Sequence, residues 1–408
     1  MTRVETGRTR GTILAPVEAG GSAGTCQDPA ALAERIRDTL AARGEQPDLA
    51  AVSAWVARYT GTRGTQAVQS LAQQVLARLV GFGPLQPLVD APEVTDVLVN
   101  GDGSVWVEDA GGLHRVPGLD LEAVEVRRLA VRLMTAGGRR VDDAQPFADV
   151  VVADVRVHAV LPPVAVGAPL LSLRRVRSAA ATLDALYPER GDPWPELLRR
   201  VVQLRLNFLI SGGTGAGKTT LLSAMLAAVP EAERIVIVED AHELAPAHPH
   251  AVALQSRAPN TESVGGVDLT MLVRQALRMR PDRLVVGECR GEEVRDVLMA
   301  LNTGHDGAGG TLHANAVDTV GERLIALGAL GGWDARSTAL QAASAVDVVI
   351  HVARRGGARR PVALSSLVPD AAGLRCESIV TEVPGAEGTV RLEPGPAADW
   401  FARTAGRG

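Results

Sequence analysis

A glycine-rich segment is the part of the chain whose residue types and spacing could do chemistry. Residues 212–220 read GGTGAGKTT and fit the pattern GxxxxGK[ST]. Glycines at these spacings let backbone N–H groups converge on phosphate oxygens, and a helix N-terminus that follows adds partial positive charge. The lysine of such a loop reaches the β- and γ-phosphates of a nucleotide, and the next hydroxyl is a Mg²⁺ ligand. We therefore predict a nucleotide-binding P-loop with Thr219 as its metal ligand, formed by Gly212, Gly213, Thr214, Gly215, Ala216, Gly217, Lys218, Thr219 and Thr220.

Acidic residues follow two apolar runs of strand type, at 234–238 and 283–287. At the carboxyl end of a strand beside a P-loop, a carboxylate faces the ligand crevice. An acid there contacts the Mg²⁺ shell or orients the attacking water. An alternative for Asp240 is that it caps a helix, because acids favour the first turn. The candidate acids are Glu239, Asp240, Glu243 and Glu288, the last in the position of a Walker B acid.

Two histidines, His305 and His313, follow Glu288 in the sequence. Together with nearby acids they could suggest a metal site, but their spacing lacks the HxxxH register of zinc-binding helices. We favour a polar role for both, in hydrogen bonding to a phosphate or to the catalytic acid.

Arginines are dense in the region before the P-loop, and two interpretations of them remain open. They could form a solvated surface, or some could clamp triphosphate oxygens bidentately if this region packs over a P-loop. The cluster comprises Arg139, Arg140, Arg156, Arg174, Arg175 and Arg177.

The elements that must position these residues follow from apolar periodicity. Helical patterns occupy the N-terminal part, short strands with one helix come next, and strands then alternate with helices from the P-loop onward. Such alternation is typical of a parallel sheet with right-handed crossovers. The predicted divisions are a disordered tail (1–28), a helical bundle (29–80), an α+β domain (81–186), a linker (187–195), an α/β nucleotide domain (196–384) and a poorly ordered tail (385–408).

Composition restricts the classes of protein that remain. The 408 residues are 46% hydrophobic but only 3% aromatic, so the cores must be built from aliphatic side chains, as in buried parallel strands. A net charge of −5 provides no global attraction to nucleic acid. No run approaches the ~18 to 20 apolar residues that a membrane span needs. The cysteines form no CxxC pair and indicate neither a zinc site nor disulfides, which favours a reducing cytoplasm: Cys26, Cys289 and Cys376.

Taken together, the motifs resemble those of the type II/type IV secretion ATPase superfamily. The branch that looks closest is that of the tight-adherence (Flp) pilus and conjugal-transfer-associated ATPases. The resemblance covers roughly residues 70–355 and rests on an ordered set of segments. These segments are GFGPLQPL, VLVNG, GRRVD, RVHAVLPP and LSLRR in the first part, and GGTGAGKTT, VEDAHEL, RMRPDRLVVGECRG and NTGHDGAGGTLHAN in the second.

The resemblance implies a RecA-like ATPase domain that uses ATP and Mg²⁺, preceded by a smaller domain. It also implies a homo-oligomer, expected to be a hexameric ring, at the cytoplasmic face of the inner membrane, where it would dock on a membrane platform protein of a pilus or secretion machine. Matched by position, Glu239, Asp240 and Glu243 form an Asp box, and His305 and His313 form a His box. Our choices for contacts to the γ-phosphate are Arg140, Arg156 and Arg174.

We thus expect a motor that hydrolyses ATP to power pilus assembly or the secretion of protein or DNA, with no direct binding of nucleic acid. Two rival functions remain. A RecA-like nucleic-acid translocase or helicase ring would have the same core sheet, although the acidic net charge disfavours it. A scaffold that binds ATP without turnover is disfavoured by the presence of Lys218 and Glu288.

Overall fold

The computed structural model describes residues 28–61, 65–109, 111–175, 182–257, 265–355, 358–371, 373–385 and 389–405. Almost all of the predicted N-terminal tail, residues 1–27, lies outside this part of the chain. The fold consists of two compact units, one ending at Val94 and the other beginning at Thr95. No helix among the described residues is long and apolar enough to cross a membrane.

The first unit is a bundle of helices with an aliphatic core. Side-chain oxygens of Asp28 and Asp48 accept backbone N–H groups at the starts of the first two helices and cap them. Leu32, Ile36 and Val56 are fully or almost fully buried between the helices. The helices are α1 (Pro29–Arg43), α2 (Leu49–Thr60), α3 (Thr65–Leu79) and the short α4 (Gln86–Asp90).

The second unit begins with a six-stranded sheet in which every neighbouring pair is antiparallel. One helix packs against it through Leu129 and Leu133, which are buried. The elements are β1 (Asp96–Val99), β2 (Ser104–Asp109), β3 (Gly112–Asp120), α5 (Ala123–Ala136), β4 (Phe147–Val152), β5 (Val155–Val160) and β6 (Leu170–Arg175). The strand order is β3-β2-β1-β6-β5-β4.

A nine-stranded sheet forms the rest of this unit, and six of its strands are parallel. Strands and helices alternate through this part, as the sequence predicts for an α/β fold with a mainly parallel sheet. The elements are α6 (Leu183–Leu186), α7 (Trp194–Gln203), β7 (Phe208–Gly212), α8 (Lys218–Ala227), β8 (Ile235–Glu239), β9 (Ala251–Gln255), α9 (Leu269–Ala276), β10 (Arg283–Cys289), α10 (Glu293–Leu301), β11 (Gly309–His313), α11 (Val320–Leu330), α12 (Ala335–Ala345) and β12 (Val348–Arg355).

Both faces of β7 and β8 are buried, which explains why their sequences are continuous apolar runs, whereas β9 at the edge is only partly buried. Leu209 and Val238 belong to the core that includes side chains of α9 to α12. Ile210 and Ile237 belong to the other core, with side chains of α7 and α8. The parallel strands lie in the order β12-β7-β11-β10-β8-β9. The strand that leads into the P-loop, β7, is the central strand of the whole nine-stranded sheet.

Three antiparallel strands and a final helix extend the sheet beyond β12. They are β13 (Ala358–Asp370), β14 (Gly373–Pro384), β15 (Val390–Pro394) and α13 (Ala398–Ala405). The structure differs here from the prediction of a poorly ordered tail at 385–408, because β15 and α13 fall within it. Leu392, Trp400 and Phe401 pack against the core that contains α7 and α8. The segment is rich in Gly and Pro, which favoured a prediction of disorder, and its few apolar residues gave no clear periodic pattern.

The predicted linker, 187–195, is fixed to the antiparallel strands by a buried polar network. Arg360 donates to Asp192 at 2.6 Å and to Glu382 at 2.7 Å. The indole N–H of Trp194 also donates to Glu382, at 2.8 Å. Each of these buried polar groups therefore has a partner, as buried charges require.

Candidate functional site

The P-loop lies between β7 and α8, at the carboxyl edge of the sheet. Gly217 precedes α8 and has a φ of 97°, a left-handed conformation that favours glycine. Lys218 is the first residue of the helix, so unpaired backbone N–H groups and the positive end of the helix dipole face this edge. Thr219 is half-buried in the first turn of α8. The local structure is therefore the strand, loop and helix that an anion-binding P-loop requires.

The Lys218 side chain is folded over the loop. Its ammonium group donates to the carbonyl oxygens of Gly212 and Gly213, at 3.0 Å each. Burial lowers the pKa of Lys218, and the charge of nearby Glu288 opposes that change. The lysine is thus a desolvated cation at the point where a phosphate chain would bind.

Glu288 and His313 come from two neighbouring strands and meet beside this lysine. Glu288 lies near the end of β10, and His313 is the last residue of β11. His313 Nε2 is 2.8 Å from Glu288 Oε1, and His313 Nδ1 is 3.3 Å from Lys218 Nζ. Arg290 donates to the other carboxylate oxygen, Oε2. The P-loop lysine, the histidine and the acid therefore form one continuous row.

One oxygen of this row has unused hydrogen-bonding capacity. Glu288 Oε1 is buried and accepts no hydrogen bond from any described residue. His313 Nε2 is close to it, but the contact lacks the alignment of a hydrogen bond. A buried acceptor without a donor is costly, so it suits a water molecule or a ligand group that binds there.

Burial lowers the pKa of His313, and the positive charges of Lys218 and Arg290 act in the same direction, while Glu288 opposes them. The imidazole is therefore neutral near pH 7. A neutral ring can accept a hydrogen bond at one nitrogen and donate one at the other, which suits a group placed between a cation and a carboxylate.

Glu239 has a different environment from Glu288. It is 5% exposed, and its oxygens accept the backbone N–H groups of Glu243 and Leu244. Burial raises the pKa of Glu239, while these hydrogen bonds and His242 oppose the rise. A Cβ atom on Gly287 would lie 2.7 Å from Glu239 Cγ, so the glycine makes room for the acid. Glu239 thus holds the turn after β8.

Asp240 and Glu243, the other two acids of the predicted Asp box, are less buried than Glu239. Asp240 is exposed, and among the described residues its backbone carbonyl accepts a hydrogen bond from the Ser256 hydroxyl. The carboxylate of Glu243 is 2.8 Å from an Nη atom of Arg156, on β5 of the antiparallel sheet. The predicted acids therefore have separate environments and do not form a single cluster.

The three predicted arginines also differ from one another. Arg156 donates to Asp149 on the neighbouring strand as well as to Glu243, and the hydrogen bonds with Asp149 raise its pKa. Arg140 pairs with Asp142, and Arg174 pairs with Asp96 at 2.7 Å. These partners of Arg140 and Arg174 lie in the same domain as the two arginines, the one that contains the antiparallel sheet. Of the three, Arg156 alone bonds to an acid of the Asp box.

His305 is not brought to the P-loop edge, which corrects the expectation that both histidines lie there. It precedes β11, whose first residue, Gly309, pairs with Phe208 at the start of β7. His313 pairs with Gly212 at the other end of the same strands. His305 Nδ1 instead lies 3.1 Å from the Ala300 carbonyl oxygen at the end of α10. The length of β11 separates the two histidines.

Two further polar side chains near the loop, those of His351 and Arg290, were not predicted from the sequence. The Ser211 hydroxyl lies 2.9 Å from His351 Nδ1 and joins β7 to β12 beneath the loop, where burial lowers the pKa of the histidine. Arg290 contacts Glu288, the predicted Walker B acid, from only two residues away. Its position directly after Glu288 and Cys289 was a usable signal, whereas nothing local to His351 indicated its partner.

Comparisons with known proteins show the family of the chain. A family model described as type II/IV secretion system protein matches residues 78–361. A putative conjugal transfer protein of Mycobacterium tuberculosis is 53% identical over 304 residues, which cover 72% of this chain and 86% of that protein. The type IV secretion system protein VirB11 of Brucella suis is 32% identical over 310 residues, which cover 66% of this chain and 83% of that protein.

Among solved structures, the chain is similar to the VirB11 ATPase from the Brucella suis type IV secretion system in complex with sulphate. The identity is 27%, the match covers 69% of this chain and 92% of that chain, and the TM-score is 0.36. The segment matched by the family model contains the P-loop, the acids after β8, Glu288 and His313.

Proposed function

The chain belongs to the type II/IV secretion system protein family, and we propose that it is a Mg²⁺-dependent ATP hydrolase that powers transport through such a machine. The observation that supports this most directly is the row formed by Lys218, His313 and Glu288 beside the P-loop. Phosphoryl transfer to water needs positioning and charge neutralisation more than covalent chemistry. The row supplies a cation that can offset phosphate charge, a neutral imidazole, and a carboxylate that can orient water.

The residues divide the work as follows. Lys218 offsets charge on the β- and γ-phosphates, and backbone N–H groups of the loop hold the phosphate oxygens. Glu288 orients the attacking water through Oε1, the buried oxygen that accepts no other hydrogen bond from the described residues. Glu239 is a weaker candidate for that role, because backbone N–H groups already occupy its oxygens. His313 lies between the carboxylate and the lysine, next to both.

The site also fits a magnesium ion. In sites of this kind Mg²⁺ is held by substrate phosphates and only one or two protein groups. The Thr219 hydroxyl, which is half-buried in the first turn of α8, is an oxygen donor of the preferred type. A bound Mg²⁺ would supply positive charge for the phosphate oxygens.

Arginines of the antiparallel sheet complete the proposed machinery. Arg156 is the strongest candidate for contact with the γ-phosphate, because it already bridges its own sheet and the Asp-box residue Glu243. Arg140 and Arg174 stay candidates, although each is paired with an acid of its own domain. Movement of this sheet would then couple ATP hydrolysis to force.

The assembly that we propose is a homo-oligomer, expected to be a hexameric ring, at the cytoplasmic face of the inner membrane. It would act through a membrane platform protein in conjugal transfer, protein secretion or assembly of a Flp-type pilus. The names of the relatives, a putative conjugal transfer protein and a type IV secretion system protein, support this class of machine.

An ATPase assay on purified protein tests the proposed activity. Glu288→Gln should retain ATP affinity and lose about 10²- to 10⁴-fold in turnover, the usual contribution of a positioned acid–base group. Lys218→Ala should weaken both binding and turnover. Glu231→Gln is a charge-matched control, because Glu231 is exposed in the connection between α8 and β8.

The outcomes separate the rival functions. Wild-type protein that binds ATP without hydrolysing it would support a scaffold. Turnover that requires DNA, together with DNA binding that weakens steeply as salt rises, would support a nucleic-acid motor. Wild-type turnover in Glu288→Gln would transfer the water-orienting role to another acid.

A further inference from the structure

Two arginines that have no acidic partner among the described residues lie opposite each other on β12 and β13, and β12 pairs with the strand that leads into the P-loop. Arg354 of β12 and Arg359 of β13 occupy directly opposite positions in the antiparallel ladder. Both are exposed, and neither makes a hydrogen bond or ion pair with any residue that the structure describes. Like charges directly opposite each other are destabilising. Such a pair is therefore suited to receive a negatively charged or aromatic ligand.

The side chain of Arg359 lies against the P-loop itself. A Cβ atom placed on Gly217 would be 3.4 Å from both Cβ and Cδ of Arg359. The aliphatic stem of the arginine therefore follows the backbone at the start of α8. Arg359 therefore lies beside the glycine that precedes Lys218.

The sheet order fixes which end of a nucleotide would meet this arginine. The strands run β13-β12-β7-β11-β10, with the P-loop following the central β7. Glu288 and His313 lie on the β11 and β10 side, where the γ-phosphate must be to react with water. A phosphate chain held by the loop therefore directs its opposite end toward β12 and β13.

We propose that Arg359, with Arg354 beside it, binds the nucleoside end of ATP, which comprises the α-phosphate, the ribose and the base. This assignment rests on the proposed ATPase function. A guanidinium group suits this end, because it can pair with a phosphate oxygen and can also stack on an aromatic ring. The negative charge of the bound nucleotide offsets the repulsion between the two arginines. Arg359 is thus a binding residue, separate from the groups that act on the γ-phosphate.

Binding of two ligands tests this division. Isothermal titration calorimetry would measure the affinities of wild type, Arg359→Gln and Arg359→Ala for ATP and for inorganic pyrophosphate, which corresponds to the β- and γ-phosphates and lacks the α-phosphate, the ribose and the base. Arg359→Gln retains much of the stem that covers Gly217, so it keeps the test valid if Arg359→Ala does not fold. The control is Arg391→Ala, which removes an exposed arginine from β15 of the same sheet.

We expect both Arg359 variants to bind ATP at least about tenfold more weakly, as loss of a charge-assisted contact predicts. Their affinity for pyrophosphate should stay within about twofold of wild type, and Arg391→Ala should change neither affinity. Equal losses for the two ligands would overturn the proposal and show that Arg359 supports the loop. Unchanged ATP affinity would also overturn it. If wild type binds pyrophosphate but not ATP, the proposed ATPase function fails as well, which distinguishes that result from failure of the Arg359 assignment alone.

Discussion

Replacing Arg156 by alanine should separate ATP turnover from ATP binding. In P-loop ATPases, the P-loop provides most of the binding affinity for the nucleotide. An arginine that stabilises the charge of the transition state raises the rate by ~10³- to 10⁵-fold. Arg156 is placed for that role, because it extends from β5 to within 2.8 Å of the Glu243 carboxylate. We expect kcat to fall by about 10³-fold or more while ATP affinity changes by less than about threefold.

The structure also predicts that this variant stays folded. The exposed fractions are 28% for the Arg156 side chain, 36% for Asp149 and 32% for Glu243, so water can solvate the two carboxylates that the substitution leaves behind. Ion pairs with this degree of exposure contribute about 1 kcal/mol or less each. That loss is small beside a free energy of unfolding of about 5 to 15 kcal/mol. A large loss of turnover would therefore report on the chemistry.

The assay is single-turnover hydrolysis of ATP, paired with an equilibrium titration using a slowly hydrolysed ATP analogue. Arg140→Ala and Arg174→Ala are matched controls, because these arginines are paired with acids of their own domain. We expect each control to lose less than about tenfold in kcat. Parallel loss of affinity and turnover in Arg156→Ala would refute the reasoning and leave a structural role, and a larger loss in either control would move the role to that residue.

Three further substitutions test the environment of the site. Burial lowers the folded-state pKa of His313, so its contribution to stability is present above the unfolded pKa of about 6.5 and is lost as pH falls through the folded value. Urea unfolding of His313→Gln should therefore decline less in stability between about pH 7 and pH 5 than wild type. Gly287→Ala would place Cβ 2.7 Å from Glu239 Cγ; we expect a loss of about 1 to 3 kcal/mol in thermal unfolding, and an unchanged Tm would contradict this. Trp194→Phe removes a donor from buried Glu382, which should cost about 1 to 3 kcal/mol by urea unfolding without changing ATP affinity.

Much of the fold and part of the site could be predicted from sequence, because their signals are local. The P-loop lies in a short segment, and strands buried on both faces appear as continuous apolar runs. The α/β fold class and the mainly parallel sheet were confirmed for that reason. β3 (Gly112–Asp120) was missed because it is a largely exposed edge strand with few apolar residues to mark it.

Interactions between distant segments could not be predicted in the same way. His305 and His313 are close in sequence, but β11 lies between them, so His305 is at the amino end of that strand and His313 is at its carboxyl end. Arg359 reaches Gly217 only because β13 pairs with β12 and β12 pairs with β7. Proximity along the chain was informative for Arg290 and misleading for His305, and in both cases strand geometry decided the outcome.

The double contact of Arg156 has a mechanical consequence. One side chain ties β4 and β5 to the segment that Glu239 holds after β8. A displacement of the antiparallel sheet would therefore act on the segment that follows β8. If nucleotide binding changes the position of that sheet, thermodynamic reciprocity requires that a load on the sheet change nucleotide affinity by the corresponding amount. In a motor built from this chain, the contact between Arg156 and Glu243 would be one route by which the resistance of the cargo reaches the nucleotide site.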